Sequence, residues 1–301
     1  MDRAAFADRI TRSVDALPGQ LGTAARYVLE NPGDVALLSM REQARRAGVQ
    51  PWTMTRLAKR LGLEGYDEVR QLHGEALKEQ ALGFSGKAGI QVARQRQAGG
   101  RAFAGEIASA TAAQIAALGE TGALEALTEA AGTLARARRI YCLGLRSSRP
   151  VALHLAYMFS FLGEKATALD FGDGTGLDAL RFATPEDVFF VTTVAPYTRA
   201  SVEAARHAHD KGLTIVALTD SAASPVAVLA RHAILVSTES PSFFHSMTPA
   251  FTAVEILAAL VAGEGGEEAL DAIARTERQL AELKVHVFEP AAARVRHRNS
   301  R

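Results

Sequence analysis

The chain has 301 residues, enough for two domains on the usual size scale. Its 34 Lys and Arg against 33 Asp and Glu leave a net charge of +1, which excludes a uniformly basic coat, so any nucleic-acid surface has to be local. One cysteine, Cys142, excludes an internal disulfide and suits a reducing compartment.

No uninterrupted apolar run reaches the ~18 residues of a membrane span; the longest, Ala250–Ala262, is broken by Glu255. MDRAAFADRI carries acids and has no long apolar core, unlike a signal peptide. The expectation is a cytoplasmic protein with no membrane partner. No Cys/His spacing suggests a zinc site, and no metal or cofactor is expected.

Residues 2–17 read as a helix with Phe6, Ile10, Val14 and Leu17 on one stripe, broken by Pro18–Gly19. Gln20–Glu30 reads as a second helix, carrying Leu21, Ala24, Ala25, Val28 and Leu29, and Asn31-Pro32-Gly33 stops it. Asp34–Leu38 leads into Ser39–Leu61, which reads as two short helices joined by a tight turn. Ala44 is small enough for a close crossing, and Gly48 supplies the positive φ of the turn. Val49, Met54, Leu57 and Leu61 then face a common core. Pro51 suits a first helical turn, where the N–H it lacks would be unpaired. This spacing leaves Trp52, Thr53, Thr55, Arg56, Lys59 and Arg60 outside the core. Arg41 to Arg60 holds six Lys or Arg and one acid, Glu42, a local charge of +5. Such a face fits the major groove, with bases read near the helix N-terminus and phosphates further along. The plainer alternative is a helical hairpin with a solvated basic face. Tyr66–Ala81 resumes as a helix, with Val69, Leu72, Ala76 and Leu77 at core spacing, so residues 1–81 form an all-α domain.

From Leu82 to Gly105 glycines recur and the pattern weakens, as in a boundary that is part linker and part exposed helix. Residues 103–137 look helical. From Arg139 short apolar runs alternate with helical ones: Ile140–Leu143, Ala166–Leu169, Val188–Val194, Leu213–Leu218 and Ala233–Val236 are the expected strands. That alternation gives a five-stranded parallel, doubly wound sheet in the flavodoxin-like order 2-1-3-4-5. Ligands bind where such an order reverses, at the carboxyl ends of strands one and three. The rule points to Gly144–Ser148 and Thr193–Arg199. The first loop opens a helix, where backbone N–H groups, Ser147, Ser148 and Arg146 suit an anion; either serine is also a candidate helix cap. In the second, Thr193, Tyr197, Thr198 and Arg199 are candidates, with Thr198 a candidate cap.

Asp220–Ser221 lies at the same end of the sheet as candidate turn chemistry. Ser240–Ser246, SPSFFHS, follows strand five and is placed to close the pocket, with Ser246 a candidate contact. His245 is a lone loop histidine, and Phe243 and Phe244 are expected to pack against each other or another subunit. Cys142 is expected to be a buried thiol and Glu255 an edge residue. No nucleophile–base pair stands at recognisable spacing, so an enzyme is not indicated. A helix over about Glu267–Lys284 precedes AAARVRHRNSR, a basic tail read as solvated, with phosphate contacts as the alternative.

Both halves resemble one family, the RpiR/MurR-type bacterial transcriptional regulators. These join a helix-turn-helix domain to a sugar isomerase (SIS) domain. ARYVLENPGDVALLSMREQARRAGVQPWTMTRLAKRLGLEGYDEVR is similar to the N-terminal signature, and RIYCLGLRSSRPVA and DKGLTIVALTDSAASPVAVLARHAILVSTES to SIS segments. The resemblance implies that Thr53 and Arg56 face DNA and that Ser147 and Ser148 contact a phosphosugar. Two departures stand out. Gln50-Pro51-Trp52 replaces a serine cap and a small residue. In the usual Ser-x-Ser-Gly-x-Thr loop, Thr193, Ala195, Pro196 and Thr198 now stand, so one hydroxyl and the glycine are gone, and Arg199 is placed to supply the lost contact.

The expectation is therefore a helix-turn-helix domain over 1–81, a linker and connecting helix over 82–128, a SIS domain over 129–266, and a C-terminal helix and tail over 267–301. Gln50, Trp52, Thr53, Thr55, Arg56, Lys59 and Arg60 are the candidate contacts to a double-stranded DNA operator. The effector expected is a small anionic metabolite, a sugar phosphate or sugar-derived acid, and the assembly a homodimer or homotetramer. The alternative is a phosphosugar isomerase or lyase with an accessory helical domain.

Overall fold

The computed structural model describes residues 6, 9–10, 13–14, 17–81, 83–171 and 175–287, with the backbone alone over 75–81. The side chains of Ala76 and Leu77 and the basic tail at 291–301 lie outside the described residues. The chain divides into two compact units. One runs to Phe103 and includes Ser242–Phe244; the other comprises Ala104–Pro241 and the chain from His245.

The first unit is helical: α1 (Gln20–Glu30), α2 (Pro32–Leu37), α3 (Met40–Arg46), α4 (Pro51–Arg60) and α5 (Tyr66–Ala81), then α6 (Gly83–Ala98). Phe6, Ile10, Leu17, Leu21, Ala24, Ala25 and Val28 are buried in one core with Val35, Ala44, Met54 and Leu57. Asn31 ends α1, and Pro32, which needs no N–H partner in a first turn, starts the short α2 that the sequence showed only as a lead-in. Ser39 Oγ accepts the Glu42 N–H at 3.3 Å and caps α3. Gly48 has φ +67, and the Val49 N–H closes on the Ala44 carbonyl at 2.9 Å, the turn that the spacing predicted.

Helix α6 and its successor α7 (Gly100–Ala117) occupy the expected linker as regular helices. Their buried complement is slight: none in α6 and Phe103 in α7. This is why their apolar pattern was weak.

The second unit has the predicted architecture. Helix α8 (Thr121–Arg136) leads to β1 (Ile140–Gly144), α9 (Arg149–Ser160), β2 (Ala166–Ala168), β3 (Val188–Thr192), α10 (Arg199–Asp210), β4 (Thr214–Thr219), β5 (His232–Leu235) and α11 (Thr248–Glu282). The strands are parallel in the order 2-1-3-4-5. Side chains alternate between two apolar layers. Ile140, Cys142, Val188, Phe190, Val216 and Leu218 meet α8, α9 and α11. Tyr141, Leu143, Phe189, Val191, Ile215 and Ala217 meet α10 together with Leu169, Leu177 and Leu180. A strand buried on both faces needs apolar residues at every position, which explains the unbroken runs.

One of the expected boundaries shifts and another meets a break in a helix. An edge at residue 129 would cut α8, whose Leu127, Ala130 and Leu134 belong to the sheet core. The expected edge at 266/267 coincides with a break inside α11, where Gly266 takes φ +49. Helix α11 also corrects the apolar-run reading, since an 18-residue window within it reaches a mean hydropathy of 1.2, enough for a span by length and composition. Its Val254, Leu257 and Val261 are instead buried in the sheet core.

Candidate functional site

The exposed face of α4 carries most of the expected DNA contacts. Gln50 occupies the N-cap position without a side-chain cap bond, and its side chain is exposed. Trp52 is 58% exposed, and the Arg56 guanidinium lies 6.0 Å from its ring centroid, so the two are held as one surface. Lys59 and Arg60 are exposed, and Thr55 is half-buried with its hydroxyl on Met40 Sδ at 3.4 Å. Thr53 is a correction. It is only 1% exposed and its hydroxyl meets Gln20 Oε1 at 3.4 Å, because α1 packs on that side of α4. The local charge of +5, which already counts Glu42, is further offset by Asp34. Arg45 pairs with Glu42 at 2.6 Å, and Arg46 with Glu42 at 3.2 Å and Asp34 at 2.8 Å. The guanidiniums of Arg45 and Arg46 hold the Glu42 carboxyl down at about 2.

At the other candidate site, β1 and β3 end side by side, with Gly144 beside Thr192. A Cβ on Gly144 would collide with the Ser148 carbonyl and lie 2.9 Å from Thr192 Cγ2, so glycine permits the turn that follows. That turn is a short 3-10 segment, Arg146–Ser148, in which Arg146 takes φ +56 and its side chain is exposed. A left-handed arginine costs roughly 1–2 kcal/mol, a price held where function needs the orientation. Ser148 sits at the N-cap of α9 without a side-chain cap bond, and Thr198 does the same at α10, so neither expected cap forms. Ser148 is buried, whereas Ser147 Oγ lies 2.7 Å from His245 Nε2. Arg149 pairs with Asp170 after β2 at 3.2 Å.

The β3 loop contains a cis Ala195–Pro196 bond. Thr193 is buried, and its Oγ1 accepts the Thr198 N–H at 3.4 Å. The Ala195 N–H is donated to Asp220 Oδ2 at 3.2 Å. Burial, and then the charge and hydrogen bond of Asp220, push the Tyr197 phenol above its ordinary value. Arg199 opens α10 and is exposed. Ser246 donates its backbone N–H to the Thr238 carbonyl at 3.0 Å, which ties the loop after β5.

Residues 133–260 match the SIS domain family. Across both halves, the chain is 28% identical over 266 residues to an uncharacterised HTH-type transcriptional regulator of Caldanaerobacter subterraneus subsp. tengcongensis, covering 87% of this chain and 92% of that one. It is 27% identical over 220 residues to the HTH-type transcriptional regulator HexR of Pseudomonas aeruginosa, covering 73% and 74%. The chain is a transcriptional regulator of the RpiR type. The NanR protein of Vibrio vulnificus, solved in complex with ManNAc-6P, shares the fold with a TM-score of 0.52 at 22% identity, over 92% of the regulator and 98% of NanR.

The regulator's structure adds groups that the sequence reading undervalued. His245 reaches Ser147 across a separation of 98 residues, a distance no local motif reveals. Asp220, read as turn chemistry, binds the β3 loop. Thr192 Oγ1 and Ser201 Oγ are buried without a hydrogen-bond partner among the described residues, at the end of β3 and in the first turn of α10. Cys142 is buried as expected, and burial pushes its thiol up to about 12. Glu255 is at the edge of α11, 3.3 Å from His154 Nε2. Phe243 and Phe244 are edge to face at 5.9 Å.

Proposed function

We propose that the regulator binds double-stranded operator DNA through Gln50, Trp52, Thr55, Arg56, Lys59 and Arg60. In this reading, a small anionic metabolite at the β1/β3 crown of the SIS domain sets its operator affinity. The observation that carries it is the joining, in one chain, of an exposed basic helix after a helix-turn-helix turn to a SIS sheet with Arg146, Ser147 and Arg199 at its switch point. Arg56 reads a base edge while Lys59 and Arg60 hold phosphates. A homodimer or homotetramer presents paired α4 helices to half-sites about one helical turn, ~34–36 Å, apart or a multiple of that.

The effector class is a sugar phosphate or sugar-derived acid. ManNAc-6P in NanR is one such phosphate. The metabolite acts by binding two arrangements of the subunits unequally, since equal binding shifts nothing. The test is operator Kd by fluorescence anisotropy at fixed salt, with and without hexose 6-phosphates and aldonic acids. A change of about 5-fold or more is expected; identical Kd values for every compound remove the regulatory claim.

One observation favours a second reading, turnover of the bound sugar: Ser147 and His245 are placed for proton exchange at 2.7 Å. Isomerisation of a sugar phosphate by the purified protein would establish it.

A further inference from the structure

The strands β1, β3 and β4 are neighbours, so the loop carrying Arg146 and Ser147 and the residue Asp220 stand two strand spacings apart, about 10 Å. That separation suits a six-carbon monophosphate lying across the β3 loop. The two ends of the span differ in chemistry. At the β1 end stand an exposed guanidinium, Arg146, and a hydroxyl, Ser147. At the β4 end stands a carboxylate.

Between them, the backbone of the β3 loop from Ala195 to Thr198 has little left to offer an anion, and its charged donor, the exposed Arg199, comes only where α10 opens. Its Ala195 N–H is taken by Asp220 Oδ2 at 3.2 Å, and Pro196 has no N–H. The Thr198 N–H is taken by Thr193 Oγ1 at 3.4 Å. A phosphate seated here would have to displace a carboxylate of like charge that already fills the acceptor role. Asp220 itself keeps acceptor capacity, because an ionised carboxylate has about four lone-pair sites. Thr219 Oγ1 lies 3.3 Å from its Oδ1, but Thr219 has one proton and a shorter bond, 2.7 Å, to the Thr193 carbonyl.

We propose that Asp220 determines effector specificity, accepting hydrogen bonds from hydroxyl or amino groups at the uncharged end of the ligand and confining its anionic group to Arg146 and Ser147. The inference rests on the effector reading above and adds the ligand's polarity: one anionic end, one donor-rich end.

The test is isothermal titration of the full chain with three probes: hexyl phosphate, glucose 6-phosphate and glucosamine 6-phosphate. The wild-type protein should bind both sugars about tenfold or more tightly than hexyl phosphate, because a site built around a polar partner rejects the analogue lacking it. Asp220→Ala should erase that preference while hexyl phosphate binds equally well or better. Asp220→Asn, nearly isosteric, should weaken glucosamine 6-phosphate more than glucose 6-phosphate, and it carries the test if the alanine variant does not fold. An unchanged probe order in the Asp220 variants overturns the inference, as does an equal loss for all three probes. An Arg146→Ala/Ser147→Ala double variant separates the two readings. If it loses all three probes while the Asp220 variants keep the wild-type order, only the specificity inference falls. If the wild-type protein binds none of them, the effector reading and the inference fall together.

Discussion

Gln43 is polar, wholly buried and placed where the helix-turn-helix is braced, so it offers a sharp test of how this unit is held. Its Nε2 donates to the Val35 carbonyl at 3.2 Å and the Leu38 carbonyl at 2.9 Å. Both lie at or just beyond the C-terminal end of α2, where carbonyls lack intrahelical partners. Its Oε1 accepts the Tyr66 O–H at 2.5 Å, and Tyr66 is 3% exposed. One side chain therefore ties α2, α3 and α5. Tyr66→Phe leaves a buried acceptor empty, which should cost about 1–3 kcal/mol. Gln43→Leu strands the Tyr66 hydroxyl and the Val35 carbonyl, while the Leu38 carbonyl keeps the Arg70 Nε–H at 3.1 Å, so about 2–4 kcal/mol is expected for two unsatisfied groups. In the double variant the Gln43–Tyr66 bond is lost only once. The two single costs should therefore exceed the double cost by roughly 1 kcal/mol or more. Native-state hydrogen exchange resolved over α2, α3 and α5 measures this within the helical unit alone. Additive costs to within about 0.5 kcal/mol would refute the coupling.

Arg56→Ala should cost roughly 1–3 kcal/mol on the cognate operator and relax specificity at one position, whereas Thr53→Ala should alter stability and leave the base preference intact; a reversal of the two would put Thr53 at the DNA. Arg146→Gly should raise stability by about 1 kcal/mol in thermal unfolding, because glycine accepts φ +56 without strain, and weaken binding of anionic probes. His232 provides a pH dependence. Burial, then Arg231, lower its pKa below 6.5, against a smaller opposing effect of Glu129. The unfolded chain therefore takes up this proton first as the solution is acidified. Stability from this group is full above pH 6.5, falls as pH drops from there to the depressed folded value, and is level below it. Denaturant titrations across that window should show a shallower fall in a His232→Gln variant, and an equal fall would exclude His232 as the source.

The period of the apolar residues was enough for the strands, their order and the helices with a buried face, though not for the short α2 or for α6, which buries nothing. Runs such as Val188–Val191 could only be strands buried on both faces, and the alternation of strands with helices left a parallel sheet whose switch point named the two loops. Gly48 and Pro51 announced the turn before α4, because each has a backbone preference that is local. What depends on a partner distant in sequence was not legible. Thr53 sits at an outward-looking helical position until α1 covers it, and Gln43 looks like a surface residue until Val35, Leu38 and Tyr66 close around it. The same holds at the crown: Asp220 on Ala195, 25 residues apart, follows from the adjacency of β3 and β4, while His245 meets Ser147, 98 residues away, from the loop that leads into α11. The residue types at the sheet's crown follow from the pattern along the chain alone. Which of their donors and acceptors are already used follows from the folded arrangement, because hydrogen bonds are settled by distances between elements and not by spacing along the chain.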